Sequence, residues 1–73
     1  MDIWVRSQTR KNLIKVKGFI IDENRIENKV ILEDADTYAI LGIYSLDRAI
    51  AILNDIEGKM FELKEKIYYM PLE

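Results

Sequence analysis

Between Ile3 and Tyr44 the apolar positions mostly recur every second residue, and after Ser45 they recur every three or four. The first period belongs to strands with one buried face, the second to an amphipathic helix. Strands are predicted over about 3–7, 13–21, 26–33 and 38–44. In the first, Ile3, Val5 and Ser7 share one face, and Trp4, Arg6 and Gln8 the other. In the second, Ile14 and Val16 alternate with Lys15 and Lys17 before the apolar phase moves to Phe19 and Ile21. A β-bulge at Gly18 is expected to absorb that shift. Asp22-Glu23-Asn24-Arg25 and Glu33-Asp34-Ala35-Asp36 read as turns between strands.

Ser45 has the residue type and position of a helix N-cap, and Asp47 complements the positive end of the helix dipole. Leu46, Ala49, Ile50, Leu53 and Ile56 form the apolar stripe, and Ile52 and Met60 widen it beyond what one sheet face covers. The period runs on through Leu63 and Ile67, which predicts a helix over about 46–65 that tolerates Gly58. Residues 67–70 read as an extended tail stopped by Pro71, suited to a sheet edge of this chain or of another subunit. The expected fold is a single α+β domain over 1–73: a four- or five-stranded antiparallel sheet packed by one amphipathic helix.

Composition narrows the function. A chain of 73 residues has a small core, and such domains usually need a disulfide, a metal or a partner subunit. With no Cys and no His, disulfides, Cys/His zinc sites and His-dependent triads are excluded, which leaves self-association and predicts a homo-oligomer. The net charge of −2 argues against a nucleic-acid binder. It hides a split. Residues 1–18 carry Arg6, Arg10, Lys11, Lys15 and Lys17 against Asp2, a net of +4, whereas residues 19–62 come to −6. That split predicts either one cationic face or strands of complementary charge. No apolar run is long enough to span a membrane and no secretory leader is visible, so a cytoplasmic protein is expected.

Chemistry concentrates at the start of the chain. Arg6 offers a fork of donors for phosphate or carboxylate, Ser7 and Gln8 add neutral hydrogen-bonding groups, and Arg10 and Lys11 follow in the adjoining turn. Trp4 stands where it can stack on a flat group. These six are the candidate ligand-binding residues, for a small anionic, nucleotide-like ligand. The same stretch admits a structural reading, with Trp4 in the core, Arg6 paired to a strand acid such as Glu33, and Arg10 and Lys11 solvated. Ile52, Ile56, Met60, Tyr68 and Tyr69 are the candidate interface residues. No catalytic residue, cofactor or metal ligand is assigned. Gly18, Gly42 and Gly58 are isolated, the acidic turn lacks calcium-loop spacing, and Ser or Thr would have only Lys or a carboxylate to activate it.

Four stretches carry a resemblance: Trp4-Val5-Arg6-Ser7-Gln8, Leu41-Gly42-Ile43-Tyr44, Asp47-Arg48-Ala49 with Leu53 and Ile56, and Tyr69-Met70-Pro71. They resemble a group of short uncharacterised proteins of Gram-positive bacteria, their phages and prophages. The chain departs from that group with Thr9 where Asp is usual and Asp47 where Glu is usual. The resemblance implies a setting rather than a mechanism. In it a small, non-enzymatic binding protein sequesters a nucleotide signal of host defence, or else inhibits or adapts a host protein.

Overall fold

The computed structural model describes residues 2–26 and 28–73. Among these the chain forms β1 (Ile3–Arg6), β2 (Leu13–Val16), β3 (Phe19–Ile26), β4 (Lys29–Asp34), β5 (Ile40–Tyr44), α1 (Leu46–Lys59), a 3-10 turn (Glu62–Glu65) and β6 (Ile67–Tyr69). The class is α+β, as the periodicity predicts. The strands divide into two three-stranded sheets rather than one sheet of four or five. β1 is the middle of the first sheet, antiparallel to β2 and parallel to β6. β3, β4 and β5 make an antiparallel second sheet, against which α1 packs.

The strand predicted over 13–21 breaks at Lys17-Gly18, and its two halves enter different sheets. The phase shift at Gly18 is therefore a change of sheet and not a bulge within one. The Gly18 carbonyl accepts the Ala35 N–H at 2.9 Å, tying the crossing point to the turn after β4. The turn predicted at Asp22–Arg25 lies inside β3, where the register with β4 shifts between Asp22 and Ile26. Reversal comes later, between Ile26 and Lys29, with Asn28 at φ 66°. Asn tolerates that left-handed conformation, so the residue type was the right signal and Asn24 the wrong position. The predicted start of the third strand includes residue 27, which lies outside the described residues.

Ser45 caps α1 by accepting the Arg48 N–H at 3.2 Å. Ala49, Ile52 and Ile56 are its buried positions, while Ile50 faces solvent. The α-helix stops at Lys59. Met60 and Phe61 keep helical dihedrals, and the 3-10 turn follows directly, so helical backbone does extend to about the predicted end in a tighter form. One core joins both sheets to the helix: Ile3, Val5 and Val16 from the first sheet, Val30, Leu32, Leu41 and Tyr44 from the second, Ala49, Ile52 and Ile56 from α1, and Leu63, Tyr68 and Met70 from the last segment. No helix among the described residues is long and apolar enough to cross a membrane.

Two expectations follow from the fold. Nothing stands within 4 Å of where a Gly58 Cβ would be. Gly58→Ala should therefore stabilise the protein by about 0.5–1 kcal/mol, through the lost freedom of the unfolded chain. A thermal midpoint that fails to rise would contradict it. At the turn after β4, the buried Asp34 carboxylate accepts the Thr37 hydroxyl at 2.7 Å and the Thr37 N–H at 3.2 Å. The Thr37 hydroxyl foremost holds its pKa below the usual value, against the opposing effect of burial. The charged form is favoured by folding, so this stabilisation is fully present above the unfolded value of ~3.9 and is lost as pH falls through the lower folded one. In Thr37→Val, carbon NMR should find the Asp34 carboxyl titrating at higher pH, and stability should fall off less steeply in acid.

Candidate functional site

The inner face of the first sheet is core, and its outer face is open. Register sets the outer residues in two rows. Trp4 of β1 lies between Lys15 of β2 and Ile67 of β6, and Arg6 lies between Leu13 and Tyr69. None of the large apolar members is covered. Trp4 is 45% exposed, Leu13 47%, Ile67 40% and Tyr69 58%. Exposed apolar side chains scattered singly are ordinary, but four on one small sheet face, interleaved with cations, form a contiguous patch of the kind that marks binding. Lys15 pairs with Asp2 at 3.4 Å, the lysine exposed and the aspartate partly so. Arg10 reaches the same face from the turn after β1, its guanidinium carbon 5.5 Å from the centre of the Tyr69 ring.

Residues 7–12 make a tight turn held together by their own polar groups. Ser7 is buried, exchanges backbone hydrogen bonds with Asn12 and Arg10, and has its hydroxyl 3.2 Å from that of Thr9. The same hydroxyl accepts the Asn12 N–H. Arg6 donates from Nε to the Arg10 carbonyl at 2.7 Å, and Arg10 adopts φ 67°. Gln8 bridges the two sheets. Its N–H donates to the Leu41 carbonyl, its Oε1 accepts the Ile43 N–H at 2.9 Å, and its Nε2 donates to the Ile43 carbonyl. One side chain thus pairs with the free edge of β5 as a neighbouring strand would, which blunts an edge open to aggregation.

The last residues are clamped in the same region. The carbonyls of Met70, Pro71, Leu72 and Glu73 accept in turn from Arg10, Tyr44, Gln8 and Arg48, at 2.8, 2.6, 3.0 and 2.8 Å. The Tyr44 phenol is pushed up to about 12 by burial, with Arg10 and Arg48 opposing, so it stays a hydrogen-bond donor. Tyr68, buried on the inner side of β6, donates to Asp55 of α1 at 2.9 Å. Burial first and then Asp55 raise its pKa, and in return its hydroxyl, followed by Lys59, holds Asp55 below the usual carboxylate range. Gly42 makes room for this arrangement, because a Cβ there would overlap the Tyr44 ring and hydroxyl. Gln8, Gly42, Tyr44, Arg48, Met70 and Pro71 thus meet at this clamp.

The six candidate ligand residues therefore separate. Trp4 and Arg6 lie on the open face, Lys11 is exposed beside it, and Arg10 borders it while also holding the tail. Ser7 and Gln8 are turned inward to structural partners. Arg10 is packed on Tyr69 rather than solvated, and Trp4 is outside the core, so the structural reading of this stretch is corrected at both positions. Of the candidate interface residues, Ile52, Ile56 and Tyr68 are buried within the chain's own core, which removes them from any external contact. Met60 and Tyr69 are exposed. Leu13, Lys15 and Ile67 are the face residues not singled out from sequence. The alternation Leu13-x-Lys15 signals one side of β2, but nothing local signals that β6 lies beside β1.

Two clefts of about 310 Å³ flank Gln8, one bounded by Lys29, Arg48 and the tail, the other running along β5 past Ile40 and Ile43. Neither reaches Trp4 or Arg6. Among the described residues no three potential metal-ligating side chains cluster. No protein-family model, curated protein or solved structure matches this chain.

Gly42→Ala should force Tyr44 off its place and break the Tyr44–Pro71 hydrogen bond, destabilising the fold by roughly 1–3 kcal/mol. A chemical denaturation curve superimposable on the parent's would refute the role given to Gly42.

Proposed function

We propose that the protein is a non-enzymatic, cytoplasmic binding protein that holds a small anionic, nucleotide-like ligand on the outer face of its first sheet. The observation carrying this reading is the uncovered patch in which Trp4 and Tyr69 stand among Arg6, Arg10 and Lys15. Exposed aromatic rings offer stacking surfaces, and the guanidinium of Arg6 keeps its terminal nitrogens beyond the Nε–Arg10 bond for a phosphate. The ligand would be bound and not transformed. A role in sequestering a nucleotide signal during phage infection follows from the resemblance and belongs to the same proposal. So does self-association, for which the exposed Met60 and Phe61 beside the end of α1 offer apolar surface.

Trp4 is the one tryptophan of the chain, so its fluorescence reports directly on the face. Titration with adenosine and guanosine monophosphates should quench it saturably, and added salt should weaken the binding. Trp4→Ala and Arg6→Ala should lose binding, read by calorimetry, while circular dichroism stays that of the folded parent. No quenching up to millimolar nucleotide would overturn the reading.

A second reading, a module that inhibits or adapts a host protein, is favoured by the apolar share of the same face, Leu13 and Ile67. A partner captured through these residues would stay bound in high salt.

A further inference from the structure

The placement of the two aromatic residues goes further than a general affinity for nucleotides. Trp4 sits opposite Ile67, and Tyr69 sits opposite Arg6, so Trp4 and Tyr69 are diagonal neighbours on adjacent strands. With strands about 4.8 Å apart and a rise of about 3.3 Å per residue, such positions are about 8 Å apart. That span is about twice the 3.4 Å rise per nucleotide of a stacked strand. Two rings so placed match two bases splayed apart on a sheet surface, each resting on its own aromatic platform, and do not match two bases stacked on each other. Arg6 shares its strand and face with Trp4 and lies directly opposite Tyr69, so it flanks the diagonal that joins the two platforms, with Ile67 on the other side. The group joining the two bases passes beside it, and its charge is complementary to the guanidinium. Lys15, beside Trp4 in the first row and paired with Asp2, and Arg10, against Tyr69, stand at the two ends of the path.

Charge also limits the length. The cations belong to residues 1–18, at a net of +4, while residues 19–62, which supply the second sheet and α1, have a net of −6. A long polyanion would extend past this face onto a remainder of the chain whose net charge is negative.

We infer that the ligand of this face is a free dinucleotide, with one base on Trp4, the other on Tyr69 and the linking phosphate at Arg6. The inference rests on the nucleotide-binding reading above, and the test separates the two. Trp4 fluorescence and calorimetry would compare adenosine monophosphate, 5′-phosphorylated diadenylate and a ten-nucleotide oligoadenylate. The diadenylate should bind about ten-fold or more tightly than the monophosphate, within the range that one added aromatic–base stack contributes. Tyr69→Ala should bring the diadenylate down to the monophosphate's affinity, whereas Tyr69→Phe should keep the preference. Both variants are checked for the parent's thermal midpoint, and Tyr69→Phe carries the test if the Ala variant unfolds. Equal affinities for monophosphate and diadenylate would overturn the two-base site and leave the nucleotide reading standing. Failure of both to bind would overturn both. A decanucleotide that binds much more tightly than the diadenylate, with a steep salt dependence, would overturn the free dinucleotide in favour of a polynucleotide.

Discussion

The parallel pairing of β6 with β1 is the constraint on which the outer face depends. A parallel pair needs a long crossover, and here the crossover is almost the whole chain: the second sheet, the helix and the 3-10 turn. Three strand residues make a weak pairing, and the clamp supplies what they lack. Four successive carbonyls are each held by a different side chain, two from the turn after β1, one from β5 and one from α1. Backbone carbonyls are the acceptors, so the grip depends on where the tail runs and little on its side chains. On the inner side Tyr68 and Met70 complete the core, and on the outer side Ile67 and Tyr69 complete the exposed patch. One short strand thus serves stability and surface chemistry together.

Polar residues at the start of the chain act mainly as architecture, although their composition suggests a ligand. Gln8 occupies the edge of β5 and joins two sheets that share no strand. Arg10 divides its guanidinium between the Ser7 and Met70 carbonyls while packing on Tyr69. Buried or half-buried polar groups must find partners, and a turn rich in such groups can find them in itself and in the tail. Trp4 and Arg6 differ only by strand phase. They alternate with Ile3, Val5 and Ser7, which take the inner side, so the apolar inner face directs them outward.

That alternation was legible in the sequence, as were the helix, its Ser45 cap, the acidic turn after β4 and the α+β class. What was not legible came from long-range pairing. The run over 13–21 looks continuous because nothing local distinguishes a bulge at Gly18 from a change of sheet. Asn24 and Asn28 are equivalent as turn formers, and only the register of β3 against β4 selects the second. Ile50, Ile52 and Ile56 all fit a helical stripe, and the placement of the second sheet decides that Ile52 and Ile56 are buried while Ile50 is not. Part of the candidate site was hidden for the same reason: the tail over 67–70 reads as a strand for some sheet edge, and only its pairing with β1 sets Ile67 beside Trp4 and Tyr69 beside Arg6.

Chain order has a kinetic side. β3, β4, β5 and α1 are contiguous in sequence, so their contacts form with short loop closures. The β1–β6 pairing must wait for segments 60 residues apart to meet, as Arg10 and Met70 do. In reverse, β6 and the tail would leave together as one unit of local unfolding. The aromatic face exists only while that unit is docked. A ligand bridging β1 and β6 would therefore act as a staple across the seam between the two ends of the chain, and the slowed amide exchange of residues 67–70 would register its presence at a distance from the ligand's own contacts.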